Sequence, residues 1–267
     1  MTYNVHSCVG TDALLSPQRI ADVIGAADPD VVCLQEIDLG RARTRRVDQA
    51  AVLAECLDMQ MFFHPAIRLP DEQYGDAILS KHRLQIVRAG TLPTVASMLP
   101  LEPRGAIWVS ILCEGVTWQV LNTHFGLCRS ERRVQARALA SDHWIGGAVR
   151  EGHVAVCGDF NSRPRSIVHR LLTQQVRDAQ LAVGDRHART FSTQLPFVCL
   201  DYIFVSSDVE VRSVRPVRTS AARLASDHFP LVAELVPLPS EKRQTEARSQ
   251  LVSAEKQRAG EAAGVVG

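Results

Sequence analysis

Lysine is almost missing from this 267-residue chain: Lys81, Lys242 and Lys256 are the only three, and arginine supplies nearly all the positive charge. The formal net charge is +1, so no global basic field advertises nucleic-acid binding. Nor is there a long basic insertion with interleaved aromatics, of the kind a dedicated duplex binder carries. The seven cysteines include no C-x-x-C pair and no zinc-like spacing. Cys33, Cys113, Cys157 and Cys199 lie in apolar runs and read as small buried hydrophobes. No stretch is long and apolar enough to span a bilayer, and no long apolar hairpin suggests membrane docking. Met1 leads straight into a strand-like segment without a basic-then-apolar leader, which makes a reducing cytoplasm the expected compartment.

What the chain does have is a set of apolar runs that end in polar groups. Val154-Ala155-Val156-Cys157 reads as a buried strand and delivers Gly158-Asp159-Phe160-Asn161. If strand geometry persists, Asp159 and Asn161 leave on the same side, at i and i+2. Val31 to Leu34 ends in Gln35-Glu36, and Val116 to Leu121 runs into Asn122-Thr123-His124. Asp201 opens Tyr202 to Val205, and Asn4 sits between Tyr3 and Val5. Any one of these is a common turn or cap residue. Five together in one domain make sense when the groups converge on one ion and one substrate, because buried polar groups are costly unless paired.

The hydrophobic fraction of 46% suffices for one large core. Ser16-Pro17 is a helix start, with a capping hydroxyl followed by proline at the first helical position, and Asp28-Pro29-Asp30 is its end. Further helices are expected over Val47 to Leu57, Ser130 to Val149 and Ser166 to Leu172. Ala77 to Leu79 and Ile107 to Leu112 read as strands. Strands and helices mix without a regular βαβ period, which favours a layered α+β sandwich over a doubly wound sheet. Residues 1–238 read as one domain. Residues 239–267, charged and without aromatics, read as a mobile tail.

Tyr3-Asn4-Val5, Leu34-Gln35-Glu36, Asn122-Thr123-His124-Phe125, Gly158-Asp159-Phe160-Asn161, Leu200-Asp201-Tyr202-Ile203 and Ser226-Asp227-His228 stand in a recognisable order. The chain from about Met1 to Leu235 thereby resembles the endonuclease/exonuclease/phosphatase superfamily of DNase I-like phosphoesterases. The resemblance implies an α+β fold in four αββα layers, two packed mixed β-sheets flanked by helices. It implies Mg²⁺, with Mn²⁺ as a substitute, which suits hard oxygen ligands better than zinc does. Glu36 would be the main metal ligand, supported by Asn4 and with Asp227 a second acid near the ion. Asp201 would hydrogen-bond His228, fixing its tautomer and favouring its cationic form. Asp159 would orient or deprotonate the attacking water. Asn161 would donate to the phosphate, and His124 would stabilise it or protonate the leaving oxygen.

The resemblance leaves the substrate open. A phosphodiester of nucleic acid or of a lipid head group is the leading expectation, a phosphatase the next, and a non-catalytic binding module on the same fold the contrasting class. Nothing calls for an obligate protein partner. Arginines cluster just beyond the site residues (Arg41, Arg43, Arg45 and Arg46; Arg129, Arg132 and Arg133; Arg163 and Arg165), and Arg104 is another candidate phosphate contact. One departure stands out. Where relatives have Tyr-Gly-Asn-Ala-Ile-Leu-Ser, this chain has Tyr74-Gly75-Asp76-Ala77-Ile78-Leu79-Ser80, which adds a carboxyl near the phosphate site.

Overall fold

The computed structural model describes residues 1–96, 101–184 and 186–238. The expected tail over 239–267 lies outside the described residues. The chain opens with β1 (Thr2–Asn4), α1 (Pro17–Ala27), β2 (Val31–Leu39), α2 (Gln49–Leu57), β3 (Gln60–Arg68) and β4 (Gln73–Ser80). It continues with β5 (Leu84–Thr91), β6 (Gly105–Cys113), β7 (Val116–His124), α3 (Arg129–Leu139), α4 (Ile145–Glu151) and β8 (His153–Asp159). Then come α5 (Ile167–Leu172), β9 (Arg177–Asp178), α6 (Ala179–Ala182), β10 (Asp201–Val205), β11 (Val209–Pro216), α7 (Ser220–Ala225) and β12 (Leu231–Pro237).

Two six-stranded sheets result, ordered β11-β12-β1-β2-β4-β3 and β5-β6-β7-β8-β10-β9. Both are mixed, because β1–β2 and β7–β8 run parallel while their other neighbours are antiparallel. Side-chain alternation along the strands sorts the apolar residues into three layers of core. Val32, Leu34, Ala77 and Leu79 pack with α1, α2 and α7 residues such as Ile20, Leu53 and Ala222. Val154, Val156, Tyr202 and Phe204 pack with Leu139, Ile145 and Leu172 from the helices of the other side. The intervening residues Cys33, Ile78, Ile107, Ala155, Cys157, Ile203 and Val205 meet between the sheets. Three apolar layers separate four structural ones, and the αββα sandwich follows.

The helix boundaries have local causes. Ser16 caps α1 by accepting from Arg19 N, and Asp28 ends it in a left-handed conformation. Asp48 caps α2 and Ser166 caps α5 in the same way. The single helix expected over 130–149 is instead two. Ser141 Oγ bonds back to the Ala138 carbonyl, and Trp144 leaves helical geometry at φ −127, ψ −102. The break lets Trp144 enter the core beside Ile145, an apolar burial worth more than a few continued helical bonds. Cys33, Cys157 and Cys199 are buried as expected, whereas Cys113 sits at a strand end and is half-exposed.

Candidate active site

Strand register assembles half of the site. Asp159, the last residue of β8, pairs with His124 at the end of β7 and with Asp201 at the start of β10. Three neighbouring strands of one sheet therefore present their polar ends side by side. Gly158 makes the close approach possible, since a Cβ there would lie 2.1 Å from the Thr123 carbonyl oxygen.

The other sheet supplies the facing half. Asn4 ends β1 and pairs with Gln35 of β2. A bulge between Leu34 and Ile37 turns Glu36 out of the ladder, at a left-handed φ of 62°. Asn4 Nδ2 donates to Glu36 Oε1 at 2.9 Å and to Asp159 Oδ2 at 3.1 Å, so one amide spans both sheets. Ser226 Oγ donates to the Asn4 carbonyl at 2.8 Å and docks the Ser226-Asp227-His228 segment against β1.

Asp159 is the hub. Its Oδ2 lies 3.6 Å from both His124 Nε2 and His228 Nε2, and its Oδ1 accepts from Asn161 N at 2.8 Å. Burial pushes its carboxyl above the usual range, opposed by the charge of His228 and reinforced by that of Asp201. His228 Nδ1 donates to Asp201 Oδ2 at 2.9 Å. Burial works against a charged imidazole there, but Asp201 and Asp159 outweigh it and lift the pKa to about 10. His228 is therefore a cation at neutral pH, with Asp201 fixing its orientation. The Phe191 ring covers it at 4.8 Å between centroids.

His124 is the opposite case. Burial first, then the charges of Arg104 and His228, hold it well below the ordinary histidine range, so it stays neutral. Arg104 Nη1 donates to its Nδ1 at 3.0 Å, which leaves the proton on Nε2 directed at Asp159 Oδ2 3.6 Å away, since the Asn161 amide nitrogen beside it is a donor and cannot take it. A charged imidazole and a neutral one thus flank one carboxylate.

Two expectations change in detail. Strand geometry does not persist to Asn161: the residue has φ 48°, and its own N–H turns back to Asp159. Its Nδ2 still reaches the site, donating to the Phe125 carbonyl at 2.8 Å and lying 3.1 Å from His124 Nε2. Asp227 does not join Asn4 and Glu36 by a hydrogen bond. Its carboxylate meets Ser226 Oγ at 3.5 Å, and its charge acts on Tyr3 and His228.

The arginines divide. Arg43 grips the buried Asp38 through Nε at 2.7 Å and Nη2 at 2.8 Å, and Arg41 pairs with Glu72. Arg104 is buried and bonds His124 and Glu102, so it tunes the site from behind instead of presenting a free phosphate clamp. Arg45, Arg46, Arg129, Arg133, Arg163 and Arg165 are exposed. Asp76 is buried and its carboxyl is raised to about 8, by burial first, with Arg104 opposing and Glu36 adding. At neutral pH it keeps its proton and substitutes electrostatically for an amide.

Sequence reasoning treated Gln35 and Asn122 only as polar strand ends. Both are buried between the sheets: Asn122 accepts from Gln35 Nε2 at 2.7 Å and donates to the Leu34 and Ala77 carbonyls at 2.8 and 2.9 Å. They hold the two halves in register and leave Glu36 to the solvent side.

The fold and the convergence of carboxylates, amides and imidazoles at one end of the sandwich define a DNase I-like protein. The model of the Endonuclease/Exonuclease/phosphatase family matches residues 1–228, and the chain belongs to that family of phosphoester hydrolases. It is 27% identical over 229 residues to YbhP of Escherichia coli K12, an uncharacterized protein, covering 81% of this chain and 87% of YbhP. The human Nocturnin catalytic domain, solved with a bound sulfate anion, has a TM-score of 0.66 at 24% identity over 88% of this chain and 92% of that one. TDP2 of D. rerio, complexed with a single strand DNA product, has a TM-score of 0.65 at 21% identity over 88% and 97%. At these identities the two structures speak for the fold alone. Among the described residues, no helix is long and apolar enough to cross a membrane.

Proposed function

We propose that this protein is a Mg²⁺-dependent phosphodiesterase, with Mn²⁺ as a substitute, acting by in-line attack of water. The observation that carries the reading is the hub at Asp159: a buried carboxylate between a neutral and a cationic imidazole, with a second sheet delivering Asn4 and Glu36 against it. No packing purpose is served by concentrating these groups at one end of a core.

The donor set fits a hard dication. Among the described residues only Asn4 donates to the Glu36 carboxylate, through Oε1, so Oε2 is left without a protein partner. A strand-end oxygen of this kind suits an ion that keeps most of its own waters. Glu36 would hold the ion with Asn4 in support, and Asp227 would act through water. Bound there, the ion neutralises charge on the scissile phosphate and on the departing oxygen.

The chain's own residues account for the rest. Asp159, raised by burial, takes a proton from water held against Asn4 and Asn161. The Asn161 amide and the His228 cation offer donors to the phosphate as charge builds on its oxygens. His124, neutral with its proton on Nε2, can give that proton to the leaving oxygen. A nucleic acid or a phospholipid head group supplies a diester of the right chemistry.

The test is a metal-dependent screen over plasmid and single-stranded DNA, RNA, bis-p-nitrophenyl phosphate, phospholipid vesicles and inositol phosphates. Glu36→Ala, Asp159→Ala and His228→Ala should each lower turnover by about 10²–10⁴-fold while circular dichroism stays native. Mg²⁺ should raise the melting temperature of the wild type and not that of Glu36→Ala. Near-normal rates in all three folded variants overturn the assignment. Release of inorganic phosphate from monoesters, with diesters untouched, replaces phosphodiesterase by phosphatase.

A further inference from the structure

A second cluster of ligand-type side chains lies outside the catalytic constellation. His169 comes from α5, Asp178 ends β9, and His187 belongs to the irregular segment after α6. Asp178 Oδ2 meets His169 Nε2 at 2.9 Å and His187 Nε2 at 2.7 Å, and all three ligand atoms lie within 4.8 Å of one another. Their side chains are 8%, 1% and 15% exposed, so the group is sheltered. The other Asp178 oxygen is already used: Oδ1 caps α6 by accepting from Gln180 N at 2.9 Å.

Capping α6 explains one oxygen of Asp178, and burial alone would be relieved by one imidazole. A second imidazole aimed through the same ring atom at the same oxygen is the convergence a shared cation would use. Nitrogen and oxygen ligands about 2.0–2.2 Å from one ion stand roughly 3–3.5 Å from each other, a few tenths of an ångström from the two nitrogen–oxygen separations here. The rings need only carry their protons on Nδ1 to turn both Nε2 lone pairs inward. Aromatic rings wall the site, with Tyr202 and Phe204 each 5.8 Å from the His169 ring.

We propose that His169, Asp178 and His187 bind a transition-metal dication of the Zn²⁺ type, distinct from the ion at Glu36, with water in the fourth position. Two imidazoles and one carboxylate favour zinc-like metals over Mg²⁺ or Ca²⁺, which prefer an all-oxygen shell. The consequence is structural. The ion would tie α5, β9 and the segment 186–191 together, and that segment carries Phe191 onto His228.

Metal uptake by the full-length chain tests this without any substrate. Chelator-treated protein is titrated with Co²⁺ and Zn²⁺ in excess Mg²⁺, and Co²⁺ absorption reports four-coordinate nitrogen ligation. The wild type and Glu36→Ala should each retain one equivalent, with the visible cobalt bands and a Zn²⁺-dependent rise in melting temperature. His187→Ala, and Asp178→Asn, which keeps a cap for α6, should lose both and bind at least about 10-fold more weakly. Unchanged uptake in either folded variant, uptake that disappears with Glu36, or no uptake by the wild type overturns the site. Hydrolysis assays do not enter, so this outcome is separate from that of the proposed reaction.

Discussion

His228 lies between two carboxylates, and that placement decides what it can do. With Asp201 at 2.9 Å and Asp159 at 3.6 Å, its pKa is lifted to about 10, too high for a general base at neutral pH and right for a fixed cation. Activity that depends on the cation should persist until the pH rises through the His228 pKa. Asp201→Asn keeps the shape of the contact and removes the charge. Its alkaline limb should therefore fall at a lower pH, by about 1–3 units, in a pH–kcat profile. An unmoved limb would sink the cationic role. The same shift is a statement about stability: folding favours the protonated ring, a contribution complete below its unfolded pKa near 6.5 and lost as the pH climbs through about 10.

Individual elements owe their positions to a few polar clamps, and these were the least legible part of the sequence. Asn122 of β7 is buried and bonds Gln35 and two carbonyls of the opposite sheet. Asn122→Ala strands an amide and two carbonyls in a dry interior, so urea denaturation should show a loss of about 2–4 kcal/mol. A loss below about 0.5 kcal/mol would mean that water replaces the clamp. Helix starts at Ser16 and Ser166 could be read in advance, because capping is a property of neighbours in the chain. The strand ends at Asp159, Asp201 and His124 could be read too, because apolar runs that stop at a polar residue are visible without tertiary contacts. The break at Ser141 to Trp144 could not, since the core pocket that accepts Trp144 is built by distant strands. The His169–Asp178–His187 group was invisible for a related reason: its spacing matches no ligand motif, and its members come from α5, β9 and the segment after α6. Asp76 looked like an added charge, and its burial turns it into a neutral group.

Over the whole molecule, neither sheet holds a site alone. Asn4, Glu36 and His228 belong to one side of the sandwich, His124, Asp159 and Asp201 to the other, and the Asn4 amide touches both through Glu36 and Asp159. The layer between the sheets, with Ile78, Ile107, Cys157 and Ile203, therefore sets the catalytic distances as well as the stability. Ile107 is fully buried there and pairs with Asn122 of β7, two residues before His124. Ile107→Ala should cost about 2–5 kcal/mol, which lowers the melting temperature by roughly 5–15 °C for a domain of this size. Because the site exists only while the two sheets stay in register, activity and the global unfolding signal should disappear at the same temperature in the wild type. Both midpoints should move down together in Ile107→Ala. A variant that stays folded by circular dichroism while its activity melts well below that point would show that the site opens on its own, and that the sheet interface does not hold it.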